Sequence, residues 1–498
     1  MSVIVDAPLD FDKLREAWYQ ALQIRPVMQA RVRRSNAFPS GLEYHALTPK
    51  GMTKYLEQQR NAPDHLKDLF FLDEGHRSIT DYLPGLGTGP NAPSQTQGIF
   101  VSDAPDPKDQ ERCTAFNAFT TSEQMLESDR PIGTIQVTRF SDATLVTCSV
   151  SHVIGDLFTV KSMFKAWETT LHGKPLTPDE GLDFDPFTVY GPGGQLADHN
   201  VMSNSVPLPP GWRVYGALDK ARLVSRFLWD CHVSRPEKTI SPKYIFIPDA
   251  EVKGLQEQAA RDLVEVEERR KKEGIRVDGP LKLSRSNVLY AWLLKHNHTN
   301  LSPSQVSSPI TISNARVSPP AGMRAGSSHF PKHEWYGSSA VVALPSMKVG
   351  DIMAMSLGEL ALRVREGTQE GSTPENMRRW FAHALNHTLW KKPSGQVALW
   401  CAPDHWISGM SDWRLIRLPD WDATPARLDG SDKPVSSCGV NTHMVCPGTQ
   451  RNRWVCLGDA AGGVWMAGNA SDAEWRDPRG FGKYPHLARR TRNRTSKL

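Results

Sequence analysis

Long apolar runs and paired cysteines are the features this sequence has least of. No stretch of about eighteen apolar residues occurs, which excludes a helix that spans a bilayer. The opening Met1-Ser2-Val3-Ile4-Val5-Asp6 has no basic start followed by an apolar core, so it does not read as a secretory leader. The Asn-x-Ser/Thr triplets at Asn297, Asn300 and Asn386 then carry no glycosylation message, and the chain is expected to stay inside the cell. The seven cysteines are an odd number with no C-x-x-C pair, which argues against a disulfide framework or a zinc cage. Cys438, His443 and Cys446 lie close together in sequence, but small hydrophobes beside strands are the simpler reading, and no metal is expected. The G-x-S-x-G elbow, the Walker A loop, the dinucleotide fingerprint and H-E-x-x-H are missing as well. Gly85-Leu86-Gly87-Thr88-Gly89 sits among prolines and reads as a surface loop.

What is present is the composition of a globular protein, 39 % hydrophobic and 23 % charged. At 498 residues the chain exceeds what one hydrophobic core usually serves, so two domains are expected. The net charge is +5, and the basic excess gathers in Arg489, Arg490, Arg492, Arg494 and Lys497. No motif or aromatic interleaving accompanies that stripe, so nucleic acid is not the expected partner. The stripe leads into Ser496-Lys497-Leu498, which reads as a peroxisomal address for an import receptor. The peroxisome is therefore the expected compartment, with the cytoplasm as the alternative.

Along the chain, an Asp cap and helical apolar spacing predict a helix through Leu22, ended near Pro26, then a strand over Val27 to Arg33. Ile135 to Arg139 and Thr144 to Val150 predict a hairpin turning at Ser141-Asp142. A Pro-, Gly- and Asp-rich stretch from Gly173 to Pro242 reads as a crossover, interrupted by a helix near Leu218 to Phe227. A strand at Lys243 to Ile247, a helix from Ala250 to about Lys272, a Ser284-capped helix to Lys295 and a helix from Val349 to Arg365 follow. Thr373-Pro374-Glu375 opens a further helix to about Trp390. Short strands are expected at Val397 to Cys401, Ser436 to Val445 and Trp454 to Cys456. The division that results is an N-terminal domain 1–207, a linker 208–242, a C-terminal domain 243–485 and a basic tail 486–498. The fold class is mixed α/β (α+β).

The chemistry is concentrated where the hairpin ends, at Cys148-Ser149-Val150-Ser151-His152-Val153-Ile154-Gly155-Asp156. A strand of small and β-branched residues delivers His152, and Gly155 lets the chain turn into a helix. A neutral imidazole near neutral pH is suited to take a proton. A buried histidine bonded to backbone is the bland reading of the same spacing. Asp156, four residues on, would fix the turn or engage a cation.

The stretch resembles the H-x-x-x-D-G signature of the BAHD acyltransferases, relatives of chloramphenicol acetyltransferase. Other segments are similar in the same order. Leu14 to Arg33 looks like the opening helix and strand, and Leu283-Ser284 to Trp292 like the leucine-serine helix. Ile312 to Arg316 looks like the strand bearing the family's Arg, and Trp335 to Val341 like its Y-F-G-N-A segment. Ser411-Asp412-Trp413-Arg414 followed by Asp422 looks like the approach to its D-F-G-W-G motif. The resemblance implies two chloramphenicol-acetyltransferase-like domains with the active site in a tunnel between them. It implies acyl-CoA as co-substrate, no bound cofactor, a small hydroxylated acceptor and direct transfer with His152 as general base. Asp156 would be structural, paired with Arg316, with Gly155 and Asp422 also structural. The acceptor class implied is a secondary metabolite or a glycolipid, as in fungal acylation of mannosylerythritol lipids, and the protein is expected to be a monomer.

Two departures stand out. Leu157 replaces the family's usual Gly, which bears on the shape of the loop. Asp422-Ala423-Thr424-Pro425-Ala426 keeps only the Asp of its motif, which bears on CoA binding more than on base catalysis. Thr424 offers one candidate oxyanion donor. The alternatives are an amide-forming condensation enzyme, against which Ser151 stands where a second His would be, and a non-catalytic relative.

Overall fold

The computed structural model describes residues 1–36, 42–63, 66–75, 77–86, 92–153, 155–178, 207–275, 281–314, 340–343, 345–373, 375–376, 379, 397–399, 401–442 and 451–489. Helix α1 (Phe11–Ile24) opens where an Asp cap predicts it: Asp10 Oδ1 accepts the amides of Asp12 and Lys13 at 2.9 and 3.1 Å. Leu14, Ala17, Trp18, Ala21 and Leu22 recur at the three-and-four spacing that buries one face. The expected strand from Val27 starts later. Pro26 begins a 3-10 turn, Pro26–Gln29, because its fixed φ suits the first turn of a helix, and the strand is β2 (Arg31–Arg34). It pairs with β3 (Leu42–His45).

Two sheets carry the molecule. The smaller has the order β15 (Ser437–Asn441), β1 (Ser2–Val5), β7 (Thr144–Val150), β6 (Gly133–Arg139), β4 (Phe70–Glu74). Its β6–β7 hairpin is the expected one, with Gly133 opposite Val150 and Arg139 opposite Thr144. The larger runs β11 (Ala340–Ala343), β10 (Val306–Asn314), β14 (Trp406–Asp412), β16 (Arg453–Ala460), β17 (Gly463–Ser471), β9 (Ile240–Pro248), β5 (Phe100–Asp103), β18 (His486–Leu487), with β12 (Met347–Lys348) beside β10. A ribbon of β8 (Arg213–Tyr215) and β13 (Val397–Leu399) stands apart. Each large sheet includes a strand from the other half of the chain, β5 in one and β15 in the other.

The period of two along a strand explains how one sheet serves two cores. On β9, Tyr244 and Phe246 join the core built around α1, while Ile245 and Ile247 join the other. On β17, Trp465 goes to the first core and Val464 and Met466 to the second. The same alternation splits Phe100 from Val101 on β5. The first core also takes in α2 (Leu157–Leu171). The second lies under α4 (Asp249–Lys272), α5 (Arg285–Asn297) and α6 (Leu357–Gly371), while α3 (Ala217–Trp229) lies between the halves in sequence.

The helix expected from Val349 to Arg365 is two helices, Val349–Ala354 and α6. Ser356 Oγ accepts the Glu359 amide at 3.2 Å and so starts a new helix. Gly358 lets α6 approach α4, since a Cβ there would lie 2.4 Å from the Ala259 carbonyl. Strand β17 is not among the expected strands, because its Gly463, Ala467, Gly468 and Ala470 dilute the apolar alternation. Gly468 is required by packing, because a Cβ would meet the Trp454 ring at 2.2 Å.

Candidate active site

Strand β7 is paired on both sides, with β6 and β1, and its last residues hand the chain to Ser151 and His152. The His152 side chain is exposed, so the buried, backbone-bonded reading is excluded. The turn beneath it is held from several directions. The Val153 amide donates to Ser151 Oγ at 3.3 Å, and the Tyr44 hydroxyl on β3 donates to the Val153 carbonyl. Val153 packs with Val150 and Leu42 against the small cluster Val32, Met125 and Ile132. Arg31 and Arg33 tie the same corner down through the backbone carbonyls of Asp129 and Ser128, at 2.6 and 2.7 Å.

Gly155 and Asp156 are buried, and Asp156 is the N-cap of α2. Its Oδ1 accepts the Phe158 amide at 2.9 Å and its carbonyl accepts the Thr159 amide at 3.1 Å. The carboxylate thereby caps its own helix start. Leu157 is the first residue of α2 and packs on the core, so the helix begins there without the glycine.

Helix α2 is clamped along its length. Trp167 Nε1 donates to the Leu14 carbonyl at 2.9 Å and Thr170 Oγ1 to that of Ala17 at 2.7 Å. Trp421 meets Trp167 at 5.0 Å and Phe164 at 5.5 Å between ring centroids. At the far end the C-cap residue His172 pairs with Asp422 at 3.1 Å, and the Asp422 amide donates to Glu168 at 3.3 Å. Burial alone would raise the Asp422 carboxyl, but the Thr424 hydroxyl and amide and the nearby His172 bring it below its ordinary value. Fifteen helical residues, about 22 Å, separate this latch from Asp156. Asp422 therefore lies at the opposite end of α2 from Asp156. Thr424 is drawn into the same latch, its Oγ1 accepting the Val435 amide at 3.1 Å.

Ser411-Asp412-Trp413-Arg414 ends β14 and crosses from one core to the other: Met410 belongs to the second, Trp413, Ile416 and Trp421 to the first. Asp412 accepts a forked contact from Arg414 at 2.9 and 2.5 Å, and this offsets the burial that would raise its carboxyl, leaving it below its ordinary value. The segment thereby couples the larger sheet to the helix that follows His152. Arg316, most of Trp335 to Val341, His443, Cys446, most of the helix expected from Thr373 to about Trp390 and the tail 490–498 lie outside the described residues. Cys438 is a buried residue of β15, its Sγ near the Ile4 carbonyl at 3.5 Å. Sequence reasoning missed Tyr44; nothing in the four-residue β3 marks it, because its partner is a main-chain carbonyl far along the chain.

The profile of the Transferase family matches residues 101–317, a span that includes the hairpin, His152 and Asp156. Acetyltransferase MATC1 of Mycosarcoma maydis is 33 % identical over 97 % of this chain and 93 % of its own length. Acetyltransferase MAT1 of Pseudozyma antarctica is 33 % identical over 98 % and 94 %. The chain belongs to the BAHD acyltransferases. Among solved structures, apo F. graminearum TRI101 superposes with a TM-score of 0.58 at 12 % identity, covering 97 % of this chain and 94 % of that one. F. sporotrichioides TRI101, complexed with coenzyme A and T-2, does so with 0.57 at 11 %, covering 97 % and 94 %. This likeness establishes the two-domain fold of the family, with its chloramphenicol-acetyltransferase-like halves. As a BAHD acyltransferase the chain is an enzyme, which removes the non-catalytic reading. The turn that departs from the family pattern at Leu157 is, in this member, supported by the cap, by Tyr44 and by the Val153 cluster.

Proposed function

We propose that the protein transfers an acyl group, acetyl in the first instance, from acyl-CoA to a hydroxyl of a hydroxylated secondary metabolite or a glycolipid, with His152 as general base. The observation that carries this reading is an exposed imidazole on a turn braced by a capped helix, a paired strand and a tyrosine. A base held this way loses little motion when the acceptor docks. His152 takes the hydroxyl proton as the acceptor oxygen attacks the thioester carbonyl. The tetrahedral intermediate then collapses with loss of CoA thiolate, which receives that proton. No acyl-enzyme is required, because both substrates reach one imidazole from the two mouths of a tunnel between the domains. Two relatives of this chain carry the name acetyltransferase, which supports the short donor.

CoA release from purified protein, with acetyl-CoA or hexanoyl-CoA and a set of hydroxylated acceptors, tests the reading. The expected result is release that depends on acceptor and falls about 10²- to 10⁴-fold in His152→Ala, without loss of fold because the side chain is exposed. Full turnover in His152→Ala overturns the role. We further propose that the protein is a monomer and enters the peroxisome through Ser496-Lys497-Leu498. A fluorescent fusion to the N-terminus, with and without the last three residues, checks the address; a diffuse signal in both overturns it.

A further inference from the structure

Strand register sorts the side chains of the smaller sheet into two faces. Asn441 lies opposite Ser2, Ser2 opposite Thr147, and Thr147 opposite Gln136, so these four form one polar row across β15, β1, β7 and β6. The two sheets touch at this row, because the Tyr244 hydroxyl on β9 donates to Asn441 Oδ1. Every member of the row has a partner. Ser2 Oγ and Thr147 Oγ1 are 2.9 Å apart, Gln136 Nε2 donates to the Arg112 carbonyl, and Asn441 Nδ2 donates to the Tyr82 hydroxyl at 2.8 Å.

The next row on the same face, one step nearer His152, is Thr134 opposite Ser149. Here the polar groups are not matched. Thr134 is 5 % exposed, and its Oγ1 has no hydrogen-bond partner among the described residues. Ser149 Oγ has none among them either, and Ser149 is partly exposed where Thr147 beneath it is buried. Facing residues of an antiparallel pair stand about 5 Å apart at Cβ, so the two hydroxyls address one small volume. Buried hydroxyls are nearly always bonded in folded chains, and an unbonded one points to a partner that the chain itself does not supply. At about 3.3 Å per residue, Ser149 lies about 10 Å back along β7 from His152.

We propose that Thr134 and Ser149 bind a second hydroxyl of the acceptor, so that the enzyme favours diols and polyols over alcohols with one hydroxyl. The inference rests on the reading of His152 as the base that takes the proton of the reacting hydroxyl. A hydroxyl both donates and accepts, as Thr and Ser do, so the three groups satisfy one another. An acyl tail in the same place would leave both side chains unpaired, and a site built to bond a hydroxyl rejects the analogue that lacks it. The coenzyme arm has to run on to its nucleotide, whereas the sheets touch at the row beneath the pair. That closed base suits the end of a molecule.

The test compares hexanediol, with a hydroxyl at each end, and hexanol as acceptors for acetyl-CoA. The six-carbon spacer sets the second hydroxyl back by a length similar to that between His152 and the pair. Wild type is expected to use the diol with a kcat/KM about fivefold higher or more, the worth of one ordinary hydrogen bond. Thr134→Val and Ser149→Ala should each lower the diol-to-hexanol ratio, and the double variant should bring it to about one, while the KM for acetyl-CoA does not move. Thr134→Val keeps the shape of the side chain and should unfold in urea at or above the wild-type midpoint, because it removes an unbonded buried hydroxyl. Equal use of the two alcohols by wild type, a ratio that the variants leave intact, a raised KM for acetyl-CoA, or a lower urea midpoint in Thr134→Val would each overturn the proposal. If neither alcohol is turned over, saturation-transfer NMR of the same mixture reads binding. Equal signals from diol and hexanol then overturn the pair, whereas a diol preference lost in Thr134→Val upholds it and leaves the transfer reading to fail alone. The pair is read from a ratio of acceptors and the base from His152→Ala, so the two fail separately.

Discussion

Replacing Asp156 by alanine and, separately, by asparagine divides the residue's structural work from any part in the chemistry. Alanine removes the acceptor of the Phe158 amide, whose present bond is 2.9 Å, and leaves the first turn of α2 without its cap. Such a loss costs about 1 kcal/mol. Asparagine caps about as well as aspartate, so the same turn should keep its protection and lose only the charge. Spread over 498 residues, an unfolding entropy of about 2.1 cal/mol/K per residue makes that cost worth only about 1 °C in Tm. Whole-chain melting is therefore the wrong assay. Hydrogen exchange read at Phe158 and Thr159 is the right one, because local opening reports the cap directly. Asp156→Ala should speed exchange there about fivefold while the β6–β7 hairpin is unchanged; Asp156→Asn should stay near wild type. The activity of Asp156→Ala should fall as the His152 turn loosens, and Asp156→Asn should recover part of it. Unchanged exchange in both variants together with lost turnover would refute the reasoning, and would place the carboxylate in the reaction itself.

Further outcomes follow from the same geometry. Tyr44→Phe removes the bond to the Val153 carbonyl and should cost about 1 kcal/mol of stability, with kcat lowered about fivefold as the turn loosens; steady-state kinetics beside a urea titration checks this. Asp422→Asn should cost about 0.5 kcal/mol and leave turnover near wild type, because the pair with His172 is partly exposed and lies far along α2; a large kinetic defect in a stable variant would contradict that placement. Burial pushes His296 and His298 down to about 4 each. Their unfolded forms take up protons near pH 6.5, so stability is full above that pH and falls as pH drops toward 4. Urea unfolding should show about 2 kcal/mol lost per histidine by pH 5, and His298→Gln should flatten the slope. Burial alone would raise the Asp103 carboxyl, but Lys243, His486 and the Arg489 amide hold it at about 2. Its contribution is present above the unfolded carboxyl value and is lost as pH falls toward 2, and Asp103→Asn should remove that acid-range loss.

Much of this molecule was legible along the chain because the deciding interactions are local. The Asp10 cap, the Ser284 cap with its Asn287 box, the β6–β7 hairpin and the strand-to-helix turn at His152 are each specified within about a dozen residues. Caps and alternation act between neighbours, so residue type and spacing suffice to place them. The ordered motifs likewise pointed to the family before any packing was known. What the chain order did not carry are the pairings set by the free energy of burial across long separations. The two sheets trade β5 and β15, alternate residues of β9 go to different cores, and Gly468 yields its space to Trp454. Asp422 shows the difference at a single residue. Its identity read as part of a motif near the site, but the length of α2 and the His172 partner put it at the opposite end of the helix. Local hydrogen bonds determined which residues turn, cap and extend; only tertiary packing decided which of them meet, because apolar burial depends on area covered and not on distance along the chain.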